Sequence, residues 1–161
     1  MKSLSFKNRI VVSPMCQYSS QDGFANDWHL VHLGRFAVGG AGLVMTEATA
    51  VEPRGRISPN DLGLWKDEHI APLKNVTQFI QSHGAVPGIQ LAHAGRKAST
   101  PAPWKGKGAL SEQKGGWKVV SASAVAYDAS FLTPHALTEE EIRALVERFR
   151  DAAGRALRAG F

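Results

Sequence analysis

Three short apolar runs, each followed by a stretch of helical periodicity, constrain this chain more than any other feature. The first, Arg9-Ile10-Val11-Val12-Ser13, is β-branched and closed by Pro14, which predicts a buried strand with a loop directly after it. A helix capped by Asn26 or Asp27 should follow, with Leu30, Leu33, Phe36 and Ala37 at helical spacing as far as Gly39-Gly40. Gly42-Leu43-Val44-Met45-Thr46 is almost continuously apolar, as expected of a strand covered on both faces. A loop with Pro53, Gly55 and Pro59 leads to a second helix beginning near Asp67 and Glu68, whose acids suit the positive end of the helix dipole. Leu73, Val76 and Ile80 mark its inward face and Gly84 its end; Pro72 is tolerable near the first turn. Ala85-Val86-Pro87-Gly88-Ile89-Gln90-Leu91 predicts a third strand, although Pro87 removes a ladder donor and Gly88 weakens the run. Thr138 and Glu141 form a capping box for a third helix, with Ile142, Leu145, Val146, Phe149, Ala153, Ala156 and Leu157 on one face up to Gly160.

Strand and helix alternating three times is the signature of crossover connections and a parallel sheet. No Gly-x-Gly-x-x-Gly follows the first run, so the dinucleotide fingerprint of the open doubly wound fold is missing. Reactive or polar residues instead gather where the strands should end: Cys16, Gln17 and Tyr18, then Glu47 and Thr49, then Gln90 and His93. That is the pattern of a barrel whose site is built from loops at the carboxyl ends of its strands. A whole barrel needs eight units and typically about 250 residues. The reading is therefore α/β: the N-terminal part of a TIM (β/α)8 barrel, about three βα units in one domain over 1–161, with the barrel incomplete.

Composition removes other classes. With 43% hydrophobic residues the chain can bury a core and is not a disordered segment. No apolar run approaches the roughly 18 residues of a membrane span, and Met1 to Lys7 lacks the apolar centre of a secretory signal, so no membrane and a cytoplasmic location are expected. The single cysteine, Cys16, cannot form an intrachain disulfide; it is either a small buried apolar residue or a thiol with a role. The net charge of +5 resides in a basic loop at about 95–118, where six basic residues meet one acid among many glycines and prolines. Such a loop is a solvated surface or a cap that attracts anionic ligands, not a helix for a nucleic-acid groove.

Four strings, in order, carry a resemblance: Ser13-Pro14-Met15-Cys16-Gln17-Tyr18; Thr46-Glu47-Ala48-Thr49-Ala50-Val51 with Gly55-Arg56-Ile57; Asp67-Glu68-His69; and Gln90-Leu91-Ala92-His93-Ala94-Gly95-Arg96-Lys97. Together they closely resemble the Old Yellow Enzyme family of flavin-dependent ene-reductases, and within it the bacterial subclass with a cysteine after the first strand. The resemblance implies a barrel that holds FMN noncovalently, takes hydride from NADPH or NADH, and delivers it to a small-molecule activated alkene, an α,β-unsaturated carbonyl or nitro compound. It implies that Ser13, Pro14, Met15 and Cys16 contact the flavin ring, that Ala48 packs beside it and that Gln90 hydrogen-bonds its pyrimidine edge. Tyr18 would face the substrate, and Cys16 and Tyr18 would be the catalytic residues.

The residue types suit those tasks. A carboxamide both donates and accepts, a small methyl lets backbone approach a flat ring, and a thiol is a weak, polarizable partner. Each also has a plainer reading: a structural thiol at Cys16, a strand-end cap at Gln90, an ordinary loop aromatic at Tyr18, a loop-tying carboxylate at Glu47. His29 and His32 stand three apart on a helix but lack a third ligand, so no metal site is expected; His93 is the histidine placed near the site, in support. In the family the substrate-gripping pair, the proton-donating tyrosine and the FMN phosphate contacts come from later strands, and none maps here. The chain is thus expected to be inactive alone and to work as the first part of an enzyme or with a complementing C-terminal half. The alternative is a noncatalytic half-barrel whose bare strand edge invites self-association.

Overall fold

A computed structural model describes residues 4–161. Strands β1 (Val11–Val12), β2 (Leu43–Ala50) and β3 (Val86–Ala92) lie side by side in chain order, all parallel, with Val11 opposite Leu43 and Leu43 opposite Val86. Parallel neighbours cannot be joined by a tight turn, and α1 (Asp27–Val38) and α2 (Ile70–Ser82) make the two crossovers. Leu33 and Ala37 of α1, Val76 and Ile80 of α2 and Val44 of β2 close over one another in a first core. A second core joins Leu62, Leu64 and Leu73 to Ala156 of α3 (Glu139–Arg158) and to Ala159, which caps its C-terminus.

The local signals set the helix ends. Asn26 caps α1 and Thr138 caps α3, each side chain accepting a hydrogen bond from the first turn. Asp67–His69 forms a single 3-10 turn that runs into α2, and Gly84 takes the left-handed backbone after it (φ +69°). The third strand forms despite Pro87.

Four expectations need correction. The first strand holds two residues, not five, because β1 has a neighbour on one side only, and Ile10 and Val11 stay exposed. β2 runs on to Ala50 and so contains Glu47, Ala48 and Thr49; Gln90 likewise sits within β3. A polar residue does not end a strand whose buried partners satisfy it. The basic stretch is only partly a surface loop. Lys105, Lys107, Lys114 and Lys118 are exposed, but Ala98, Ser99, Thr100 and Ala102 are buried, and beyond it β4 (Val120–Ser121) pairs with β5 (His135–Ala136). On α3 the buried stripe is rotated. Ala152, Ala156 and Ala159 dock closely, whereas Ile142, Val146 and Leu157 remain exposed. Thr77 and Gln81 donate to the Ala159 and Gly160 carbonyls, and Arg155 and Arg158 clasp Asp67, so the C-terminal half of α3 bears the contact.

His69 is fully buried edge-on between Phe24 and Trp65, with both centroid distances 4.6 Å. Its Nε2 donates to the Asp22 carbonyl (3.0 Å), and burial holds its pKa below the ordinary 6.5. The unfolded chain therefore takes up the proton first, and stability is full above pH 6.5 and falls as the pH drops through the lowered value. The urea midpoint is expected to be flat above pH 6.5 and to decline below it, with the decline reduced in His69→Gln. An equal acid slope in the variant would assign it to other groups.

Candidate functional site

The site begins at an irregularity in β2. Met45 pairs with Gly88 and Ala48 with Gln90, so β2 spends one more residue than β3 between the two pairs. The result is a bulge, which re-aims side chains. Thr46 and Glu47 are consecutive yet both buried, at 0% and 3% exposure, where a regular strand would alternate.

The bulge places the Glu47 carboxylate beneath the loop that leaves β1. One oxygen accepts the Gln17 amide (2.9 Å), and the other lies 3.3 Å from His29 Nε2. His29 Nδ1 accepts the Asn26 amide (3.1 Å), completing the capping box of α1, so the ring hydrogen is assigned to Nε2, facing Glu47 and Ser20 Oγ (3.2 Å). His29 therefore sits at 1% exposure inside a hydrogen-bond network, and His32 stacks on Trp28. Among the described residues no group of three or more side chains could hold a metal ion.

Above Glu47, Tyr18 adopts a left-handed backbone (φ +50°), a strained state for a bulky residue that persists only where neighbours enforce it. Ser19 Oγ donates to the Gln17 carbonyl (3.0 Å), Asn26 Nδ2 to the Ser19 carbonyl (2.7 Å), and the Ser20 amide to the Asn60 carbonyl (2.9 Å). Cys16 is partly buried. Burial raises its thiol pKa, assisted by the Glu47 and Asp61 carboxylates; the Ala48 amide and Tyr18 hydroxyl act in the opposite sense and lose. The Tyr18 hydroxyl is pushed up to about 12, by burial first and then by Cys16. Both groups are therefore neutral near pH 7 and act as hydrogen-bonding groups, not as ions.

Cys16 thus lies beside both Ala48 and Tyr18, and Ala48 is opposite Gln90. Gln90 is exposed, and among the described residues its carboxamide makes no hydrogen bond, which sets aside its reading as a strand-end cap. Ser13, Pro14 and Met15 lie along the same loop, with Ser13 and Met15 exposed. Every residue singled out from the sequence for cofactor contact is at least partly open to solvent.

His93 was expected near the site in support; what escaped the sequence reading was its partner, Glu52, and the contact of Trp104. His93 Nε2 bonds Glu52 (2.9 Å) while its Nδ1 accepts the Gly95 amide (3.0 Å), tying together the loops after β2 and β3. Burial opposes the Glu52 charge, yet hydrogen bonds from His93 and Arg54 hold its carboxyl below the usual range. Their positions next to strand ends were the available signal. Trp104, from the basic stretch, packs edge-on against Tyr18 at 5.7 Å, a contact across 86 residues that no local pattern announces.

A parallel α/β unit with its neutral polar groups collected toward the carboxyl ends of the strands is the front part of a β/α barrel. The chain belongs to the NADH:flavin oxidoreductase / NADH oxidase family, whose model matches residues 1–161. It is 48% identical over 163 residues to an NADPH dehydrogenase of Listeria welshimeri, covering all of this chain and 44% of the relative. It is 48% identical over 165 residues to an NADH:flavin oxidoreductase of Gibberella zeae, covering all of this chain and 40% of that protein. Among solved structures, morphinone reductase superposes with a TM-score of 0.83 at 28% identity over 99% of this chain and 43% of its own. The Old Yellow Enzyme homologue of Zymomonas mobilis superposes with 0.82 at 26% identity, again over 99% of this chain and 44% of its own. The chain spans less than half the length of these relatives. The family's cofactors are FMN and a nicotinamide. The donor set suits a flat ring: a carboxamide with no hydrogen bond among the described residues, a small methyl and two uncharged hydrogen-bonding groups, each at least partly open to solvent.

Proposed function

We propose that residues 1–161 form the ring-binding part of an FMN-dependent oxidoreductase that takes hydride from NADPH or NADH and passes it to the activated C=C of an unsaturated carbonyl or nitro compound. The observation that carries this reading is the juxtaposition of Cys16, Ala48 and Gln90 at neighbouring strands, with the carboxamide unengaged. FMN, when bound, supplies the hydride carrier. Gln90 would donate to and accept from its pyrimidine edge, and Ser13, Pro14 and Met15 would line the ring along the first loop. Ala48 leaves room for the ring, and Cys16, as a neutral thiol, would bias its redox balance. Tyr18, uncharged to about pH 12, would offer its hydroxyl to a substrate carbonyl. The location that fits one unpaired cysteine is the cytoplasm.

β1 and β3 are each paired on one side only, which supports a need for further strands, in the same chain or in a complementing C-terminal half. The same free edge, flanked by an apolar groove of Ile89, Leu91, Ala153, Leu157 and Phe161, favours a second reading as a self-associating half-barrel without activity. NADPH consumption with an added enone and FMN separates the two. A longer protein carrying this chain is expected to oxidise NADPH, and the 161-residue chain alone is not. Turnover by the short chain would overturn the need for further strands, and its absence from the longer protein would overturn the enzyme reading.

A further inference from the structure

We propose that Glu47 is a positioning residue: through the Gln17 amide it fixes the Cys16–Tyr18 loop in the shape that receives its ligand. The identity of that ligand as a flavin rests on the function proposed above; the positioning itself does not.

The loop is held on two sides of Tyr18. Beyond it, Asn26 and Asn60 anchor residues 19 and 20. Before it, Glu47 anchors Gln17 from a strand thirty residues away, while the Gln17 side chain adds a longer contact to the exposed Trp28 (3.2 Å). A left-handed tyrosine needs both sides held, since releasing either lets it relax to an ordinary backbone. The chemistry at position 47 is equally specific. Gln17 presents an N–H, so the residue at 47 must accept there, and its other oxygen lies 3.3 Å from His29 Nε2, which bonds Ser20 Oγ. A carboxylate offers the Gln17 N–H an acceptor with either oxygen, whereas a glutamine accepts with one side only and turns a donor toward the other. The bulge supplies the third element, because without the extra residue a side chain at 47 would point to the other face of the sheet.

Cys16 is the chain's only thiol, so its alkylation by iodoacetamide reports on the loop alone. In the 161-residue chain its rate should rise with pH through a midpoint above the ordinary 9.0, raised by burial and by the Glu47 and Asp61 carboxylates against the opposing Ala48 amide and Tyr18 hydroxyl. Two variants release the loop. Glu47→Gln removes the charge and the double acceptor. An α-hydroxy acid analogue at position 17 replaces only the Gln17 N–H with an ester oxygen, leaving the Glu47 charge and the His29 contact in place. Both are expected to bring the midpoint down toward 9.0 and to raise the rate near neutral pH at least about threefold. Ile80→Val, a core truncation remote from the loop, is expected to move neither. An unchanged midpoint in the ester variant overturns the proposal, even if Glu47→Gln fails to fold or shifts through charge alone. An equal shift in Ile80→Val overturns it as well. The readout uses no flavin, so its outcome and that of the NADPH assay are independent.

Discussion

Leu73→Ala is expected to destabilise the chain by about 2–5 kcal/mol, the largest stability loss of any single truncation considered. Leu73 is 1% exposed and packs with Leu62, Leu64, Ala156 and Ala159, so it is where α2, the segment after β2 and α3 meet. The lost methyl groups take their transfer free energy with them, and the alanines of α3 are too small to fill the space. Loss of that seat loosens the C-terminal half of α3, whose other holds include the Thr77 and Gln81 hydrogen bonds and the exposed cluster of Asp67 with Arg155 and Arg158. Urea denaturation followed by tryptophan fluorescence measures the change. A loss below about 1 kcal/mol would mean that the second core collapses around the gap and that α3 does not depend on it.

Gln90→Leu is expected to weaken FMN binding by about ten- to a hundredfold in a protein carrying this chain, with little effect on folding. The carboxamide is exposed and unengaged, so nothing in the described structure loses a partner when it goes. Leucine has a similar size but neither donates nor accepts, and the flavin edge would lose about 1–3 kcal/mol of hydrogen bonding. Quenching of FMN fluorescence on titration gives the dissociation constant directly. An unchanged constant would remove Gln90 from the cofactor site and, with it, the reading of these strand ends as a flavin cradle.

What was legible in the sequence was what is local. Asn26 and Thr138 announce their helices because a cap bonds within its own first turn, and three apolar runs with three helices fix a parallel sheet in chain order. The strand-end residues were read as one mouth; in the structure Ala48 lies opposite Gln90 and Cys16 lies beside Ala48. Non-local features were lost. Glu47 looked like the first residue past a strand because the residues that satisfy it, Gln17 and His29, lie thirty and eighteen positions earlier. The bulge that buries it has no composition of its own. On α3 the periodicity fits two adjacent stripes, and three alanines, individually unremarkable, select the one that allows close approach. Two-residue strands such as β4 and β5 carry too few residues for any pattern.

Because spatial neighbours in the sheet are also neighbours along the chain, a growing polypeptide can assemble unit by unit as it leaves the ribosome, each new strand finding its partner already made. The first loop is the exception to that orderly schedule. It is synthesised well before the carboxylate at 47 that anchors it and earlier still than the indole at 104 that leans on its tyrosine. During synthesis the mouth of the site therefore acquires its shape only once the second and third strands, and the indole beyond them, have emerged.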